Sequence, residues 1–303
     1  MKRGDRVAVV ATGFAARPEA IKAGVAALTR RGLTPVLGRH LGSVEGYLAG
    51  NDAERAGDLN EAIADPTTAA IWFSRGGYGT SRILDRVDLG RLVKRPKLLL
   101  GYSDLTALFS ALLARASTIC LHAPVVAELG DRRQFHAPSL ARALAGRPIR
   151  HRIARRDVIS AGKARGRLMG GNLTVLTHLL GTRYMPDLTG SILFLEETGE
   201  EAYRVDRLLQ HLSMSGALAG VAGVVLGTFH VPPTARAYPG DRPIATVLSE
   251  HLLSLKVPVV SGVPAGHGPG KWTLPLGGIA TLDTARGRLT FDPHPAPRPG
   301  KKS

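Results

Sequence analysis

The residue in this chain best placed to do chemistry is Ser103. It stands in "KLLLGYSDLTALFSALL" (Lys97–Leu113), where an apolar run stops at Gly-Tyr-Ser-Asp and resumes with helical spacing. A serine at a strand-to-helix turn can act as a nucleophile. The unpaired N–H groups at the helix start, that of Asp104 first, favour an oxyanion formed beside it. The same position also suits a helix cap, and G-Y-S-D-L lacks the second glycine of a G-x-S-x-G elbow. The motif alone leaves both readings open.

A nucleophilic serine needs a base, and the base needs an orienting acid. Of the 10 histidines, His40, His136, His151 and His294 lie in polar or arginine-rich surroundings and read as surface residues. His178, His211 and His251 fall within amphipathic helical patterns, and His230 follows a strand. The contenders are His122 in "CLHAPVV" and His267 in "VPAGHGPGKWTLPLG", a loop whose glycines let backbone and substrate approach closely. For the acid, "SILFLEETGEEAYRVDRLL" sets Glu196 and Glu197 at the end of an apolar strand. Alternation sends these neighbours to opposite faces, so one can orient a histidine while the other faces solvent. Glu200 and Glu201 are accounted for as acids at a helix entrance.

A second glycine-rich turn, "SRGGYGTSR", ends another strand, and its N–H groups could cradle an anion. It matches neither G-x-G-x-x-G nor a Walker loop. No H-E-x-x-H, C-x-x-C or His/Cys cluster suggests a metal site, so metal- and cofactor-free chemistry is expected.

These residues need a scaffold. "RVAVVATG", "TPVLG", "TAAIWFS", "PKLLLGYS" and "TICLHAPVV" read as strands, alternating with helices such as "RPEAIKAGVAALTRRG" and the Asn51/Asp52-capped "NDAERAGDLNEAIADP". That alternation predicts an α/β fold with a parallel sheet covered by helices. The expected division is an N-terminal α/β domain at 1–140 carrying Ser103, a basic linker at 141–166, a mixed α/β C-terminal domain at 167–293, and a disordered tail at 294–303. The strands expected in the C-terminal domain are "SILFLEE", "VAGVVLGTF", "VPVVSGVP", "GGIATLDT" and "RLTFDP".

The 303 residues, 44% of them hydrophobic, suffice for one large core or two ordinary ones. The single cysteine, Cys120, cannot form an internal disulfide and reads as a buried small hydrophobe. The opening "MKRGDRVAVVATG" reads as a first strand rather than a signal peptide, which makes a cytoplasmic location the default. With 40 Lys+Arg against 24 Asp+Glu, the net charge is +16. Basic runs such as "RHRIARRD" lack interleaved aromatics and read as solvated segments, so neither nucleic acid nor membrane is expected as a partner.

Six segments in order, "WFSRGGYGTSRILD", "GYSDLTAL", "GGNLTVLTHLLGT", "ILFLEETGEEAYRVDRLLQHL", "GVVLGTF" and "GHGPGKWTLPLG", resemble the LD-carboxypeptidases. That family includes murein tetrapeptide carboxypeptidases and the related microcin-immunity hydrolases. The resemblance extends from near the first strand to about Asp292. It implies Ser103 as nucleophile, His267 rather than His122 as base, and Glu196 as the orienting acid. It further implies an oxyanion hole from the N–H groups of Gly77 and Asp104, with Gly76, Tyr102, Asn172 and Trp272 as substrate-binding residues. The implied protein is a two-domain homodimer with its active site in the interdomain cleft, releasing D-alanine from a muropeptide tetrapeptide. The alternatives are cleavage of an acyl-aminoacyl-nucleotide amide and, remotely, nucleic-acid binding without catalysis. Arg75, Arg82 and Arg204 are the cations close in sequence to these loops and are equal candidates for holding a substrate carboxylate.

Overall fold

The computed structural model describes residues 1–230 and 242–294, so the expected tail lies outside the described residues from position 295 onward. The first part of the chain runs β1 (Arg6–Val10), α1 (Pro18–Arg30), β2 (Thr34–Leu37), α2 (Asp52–Ala64), β3 (Thr68–Phe73), α3 (Leu89–Lys94), β4 (Leu98–Gly101), α4 (Thr106–Leu113) and β5 (Cys120–His122). Then follow α5 (Ala137–Leu144), β6 (Ile149–Arg152), β7 (Val158–Ser160), β8 (Lys163–Asn172), α6 (Leu173–Thr177), β9 (Ile192–Thr198) and α7 (Ala202–Met214). The last elements are β10 (Gly223–His230), α8 (Ile244–Leu253), β11 (Val259–Val260), β12 (Leu274–Leu276), β13 (Ile279–Asp283) and β14 (Arg288–Phe291).

Local chemistry explains several of these boundaries. Pro18 opens α1 at a position whose N–H would lack an intrahelical partner anyway. Asn51 and Glu54 form a reciprocal capping box that starts α2. β3 and β4 are buried along their whole length, which is why "TAAIWF" and "LLLG" are continuous rather than alternating apolar runs.

Among the described residues the strands form two sheets, in the orders β12-β5-β4-β3-β1-β2 and β6-β14-β13-β8-β9-β10-β11-β7. In the first sheet β1 to β5 are all parallel, with order 2-1-3-4-5. Ligand sites in such sheets form beyond the carboxyl ends of the strands, next to the point where the order reverses. In the second sheet β8, β9, β10 and β11 are parallel, flanked by antiparallel β13, β14 and β6 on one side and by β7 on the other. The fold is α/β with two sheets, as the alternating pattern predicts.

Two features depart from a simple division of the chain. The stretch 141–166 does run from the first sheet to the second, but on the way it forms β6, β7 and the start of β8. β12, within the segment expected to be wholly C-terminal, returns to the first sheet and pairs antiparallel with β5, Leu274 facing His122. The lobes also touch directly, since the Asn172 N–H donates to Thr106 Oγ1 at 3.0 Å. Buried apolar residues from both sheets form one continuous cluster. No described helix is long and apolar enough to cross a membrane.

Candidate active site

Ser103 follows β4 at the start of a single 3-10 turn that leads into α4. Its φ is +67°, in the left-handed region that a side chain rarely adopts. Holding it there costs about 1–3 kcal/mol and requires the surroundings to fix it. The strain falls on the serine itself. Gly101 stays within β4, where a Cβ would lie 3.1 Å from the Leu105 side chain.

The Asp104 side chain is buried and accepts from the Thr80 N–H at 2.9 Å and from Thr80 Oγ1 at 2.6 Å. Burial pushes its carboxyl pKa up, and the Thr80 hydrogen bonds oppose that. Those bonds tie the serine turn to the glycine turn after β3. At Gly76 a Cβ would sit 3.0 Å from the Ser103 Cβ. At Gly77, with φ +105°, a Cβ would strike the Phe14 ring at 2.3 Å. Both positions therefore need glycine for the loop to lie this close to the serine.

The second sheet supplies the other groups. Glu196 and Glu197 are at the end of β9, next to Asn172 at the end of β8, which pairs with Glu196 in register. His267 lies on the segment that leaves β11 and enters β12, and so passes from one sheet to the other. Its Nε2 is 3.1 Å from Ser103 Oγ, and its Nδ1 is 2.8 Å from Glu196 Oε2. With Nδ1–H donating to the carboxylate, Nε2 keeps a lone pair for the serine proton. Glu196 is fully buried, and its second oxygen, Oε1, has no hydrogen-bond partner among the described residues. The carboxylate therefore directs its hydrogen bonding at the imidazole. Gly266, φ +108°, permits this contact, because a Cβ there would be 2.5 Å from Glu196 Oε2.

His122, the rival candidate, is fully buried, and neither ring nitrogen has a hydrogen-bond partner among the described residues. Its ring packs edge-on against Tyr102 and Phe194. Burial, then the nearby His267 and Lys271, bring its pKa down to about 3. It is a neutral core histidine.

A cavity of about 510 Å³ opens over Ser103 and His267. Gly76, Gly77, Tyr102 and Asn172 line it, together with Phe14, Arg75, Val125, Glu128 and Glu200. Trp272 does not. Its ring stacks on His136 at 4.4 Å and meets His151 edge-on, beside a separate cavity lined by His136, Arg142 and Arg150. His136 and His151, read from sequence as surface residues, are half-buried there.

Glu197 is also not the solvent-facing acid that alternation suggested. It is buried, accepts from Asn172 Nδ2 at 3.1 Å and from the Thr174 N–H at 2.8 Å, and so braces the start of α6. Of the three candidate arginines, Arg82 is engaged by Asp52 at 2.9 and 3.0 Å, and Arg204 lies beside Glu200 and Glu201. Arg75 lines the cavity and makes no ion pair among the described residues; it donates to the Ala15 carbonyl at 2.9 Å. Phe14, Thr80 and Glu128 had no distinguishing signal in the sequence, since each reaches the site from a loop after a different strand.

Comparison with known proteins agrees with this architecture. Residues 7–123 match the LD-carboxypeptidase N-terminal domain, and residues 165–282 match the LD-carboxypeptidase C-terminal domain. The murein tetrapeptide carboxypeptidase of Pseudomonas aeruginosa is 32% identical, over 93% of this chain and 94% of that protein. The microcin C7 self-immunity protein MccF of Escherichia coli is 28% identical, over 86% and 84%. The crystal structure of muramoyltetrapeptide carboxypeptidase from Oxalobacter formigenes superposes with a TM-score of 0.86 at 31% identity, covering 96% of this chain and 99% of that one.

Proposed function

Given that the chain belongs to the LD-carboxypeptidase family, we propose that it is a serine carboxypeptidase releasing terminal D-alanine from peptidoglycan tetrapeptides. The observation that carries this reading is the hydrogen-bonded run from Glu196 through His267 to Ser103 at the edge of the cavity. In this mechanism Ser103 Oγ attacks the carbonyl of the L-configured third residue while His267 Nε2 takes its proton. The N–H groups of Gly77 and Asp104 receive the oxyanion. His267 then protonates the departing D-alanine amine, the C–N bond breaks, and an acyl-enzyme remains. Water, deprotonated by the same imidazole, hydrolyses it. Glu196 holds the tautomer and stabilises the imidazolium. Arg75 is assigned to the terminal carboxylate because, of the candidate cations, it lines the cavity and makes no ion pair among the described residues. The same reading has the enzyme acting as a cytoplasmic homodimer in cell-wall recycling.

The test is incubation with two tetrapeptides that differ only in the configuration of the last alanine, followed by mass analysis. Release from the D-ended peptide and not its L-ended twin is expected. Ser103→Ala should lower release by about 10⁴-fold or more, because the three groups act as a unit. A Ser103→Ala protein releasing D-alanine at the wild-type rate would refute the assignment.

A second reading is cleavage of an acyl-aminoacyl-nucleotide amide by the same groups. It is favoured by Phe14 in the cavity wall, which continues outward to Tyr47 at 5.3 Å and offers an aromatic surface for a base. MccF has been solved with aspartyl sulfamoyl adenosine. Hydrolysis of an aminoacyl sulfamoyl nucleoside, with no D-alanine release from either tetrapeptide, would select this reading.

A further inference from the structure

Behind the serine and histidine is a buried charge that the mechanism above leaves unused. Lys271 is only 2% exposed, and its Nζ donates to Glu128 Oε1 at 2.7 Å. The same oxygen accepts the Tyr102 hydroxyl at 2.8 Å, while Glu128 Oε2 accepts the Val125 N–H at 3.1 Å. The Lys271 ammonium also lies 5.1 Å from the centre of the Tyr102 ring. On its other flank that ring packs against the His267 imidazole, with centres 4.9 Å apart. Burial, then the Glu128 carboxylate, push the Tyr102 phenol pKa up, so it remains a hydrogen-bond donor.

The connectivity gives this cluster its meaning. Lys271 is four residues beyond His267 on the segment between the sheets, and Tyr102 directly precedes Ser103. Glu128 grips both, its Oε1 accepting from each. The Lys271 backbone is already held without its side chain, its N–H donating to the Gln134 carbonyl and its carbonyl accepting from the His136 N–H. Fixing the segment therefore does not need the ammonium. A buried ion pair is in general no better for stability than apolar packing of the same volume. What the pair adds here is direction: it pulls the Tyr102 hydroxyl toward Glu128 and turns the ring into a wall for the imidazole. It also braces the residue before Ser103, whose left-handed backbone needs such support.

We propose that Lys271 is a positioning residue, acting through Glu128 and Tyr102 to hold the His267 imidazole in line with the Ser103 hydroxyl. This rests on the reading of Ser103 as nucleophile and His267 as base.

The test compares wild type with Lys271→Met, Tyr102→Phe and the double variant Lys271→Met/Glu128→Gln. Each is measured for melting temperature, for kcat and KM of D-alanine release, and for the rate at which a fluorophosphonate labels Ser103. Lys271→Met is expected to lose about 10- to 100-fold in kcat and in labelling rate, the penalty of a misplaced reacting pair. KM should stay within about twofold, since the missing contact is not to substrate. The double variant should recover part of the labelling rate, because the unpaired Glu128 charge is gone while Tyr102 keeps an acceptor. Tyr102→Phe removes one hydroxyl and keeps the ring, so it reads the same loss if Lys271→Met fails to fold. A folded Lys271→Met or Tyr102→Phe protein with unchanged kcat and labelling rate overturns the proposal, whatever its melting temperature. Wild type that labels at Ser103 but releases no D-alanine defeats the substrate reading alone, and the labelling rates then still decide the role of Lys271. Wild type that does not label at all removes both.

Discussion

Ser103, just past the end of β4, and His122, the last residue of neighbouring β5, come to opposite fates. Ser103 is held in a strained conformation with its hydroxyl at a cavity, whereas His122 is sealed between Tyr102 and Phe194, its ring nitrogens without a hydrogen-bond partner among the described residues. The seal has a measurable consequence. Burial, then the charges of His267 and Lys271, lower the His122 pKa from 6.5 to about 3. Between those values the unfolded chain binds a proton that the folded chain refuses, so this residue removes stability as pH falls through that window. His122→Phe keeps the edge-on ring contacts and removes the proton site. Its melting temperature should be close to wild type at pH 7, and its advantage over wild type should grow steadily toward pH 3. Carboxylates such as Asp65 and Asp131, whose pKa values lie near about 2, contribute equally to both proteins and cancel in the difference. Parallel melting curves for the two proteins across the acid range would contradict a neutral, sealed imidazole. In the sequence His267 and His122 both follow apolar strands, so the residues alone left them as rivals, and only the family resemblance chose His267. What separates them is pairing: His122 is the last residue within β5, paired with Gly101 on one side and Leu274 on the other, whereas His267 lies on the loop between β11 and β12.

Loops that cross close to other backbone set the geometry of the elements. The His267 loop is laid directly on β9 and β10. A Cβ at Gly266 would lie 2.5 Å from Glu196 Oε2, and one at Gly227 would lie 2.3 Å from the Ala265 carbonyl. Gly266→Ala must therefore lift the loop and separate His267 from Glu196. The expected result is a fall in kcat of about 100-fold, with a much smaller change in KM, read from D-alanine release. A variant that keeps wild-type kcat would show that the loop tolerates displacement. The central strands β3 and β4 of the first sheet were legible because burial on both faces writes them as unbroken apolar runs. β6 and β12 were not. "IRHR" is an edge strand dominated by charge, and "LPL" is three residues with a proline at its centre, which a sheet admits only at an edge. Trp272 was misplaced for a related reason. Successive residues of an extended segment point opposite ways, so Lys271, buried against Glu128, leaves Trp272 on the other face.

At the scale of the molecule the two sheets share one apolar cluster, and β12 fastens the segment that leaves the second sheet onto the edge of the first. β5 is fully buried beneath it, including Cys120 and His122. A fragment ending at residue 140 would present that edge and its apolar side chains to water, an aggregation-prone surface. Such a fragment should be insoluble or bind a hydrophobic dye strongly, whereas the full chain should not. A soluble, cooperatively melting fragment would show that β12 is dispensable. The threading of β12 also bears on how such a protein can change over generations. A recombination event that joined the front of one homologue to the back of another near residue 150 would leave the first sheet wearing a border strand from the wrong parent. Viable hybrids should therefore be those in which the two parents agree along Leu274–Leu276 and the surface it covers, and a lineage carrying this arrangement should evolve as one piece rather than by trading halves.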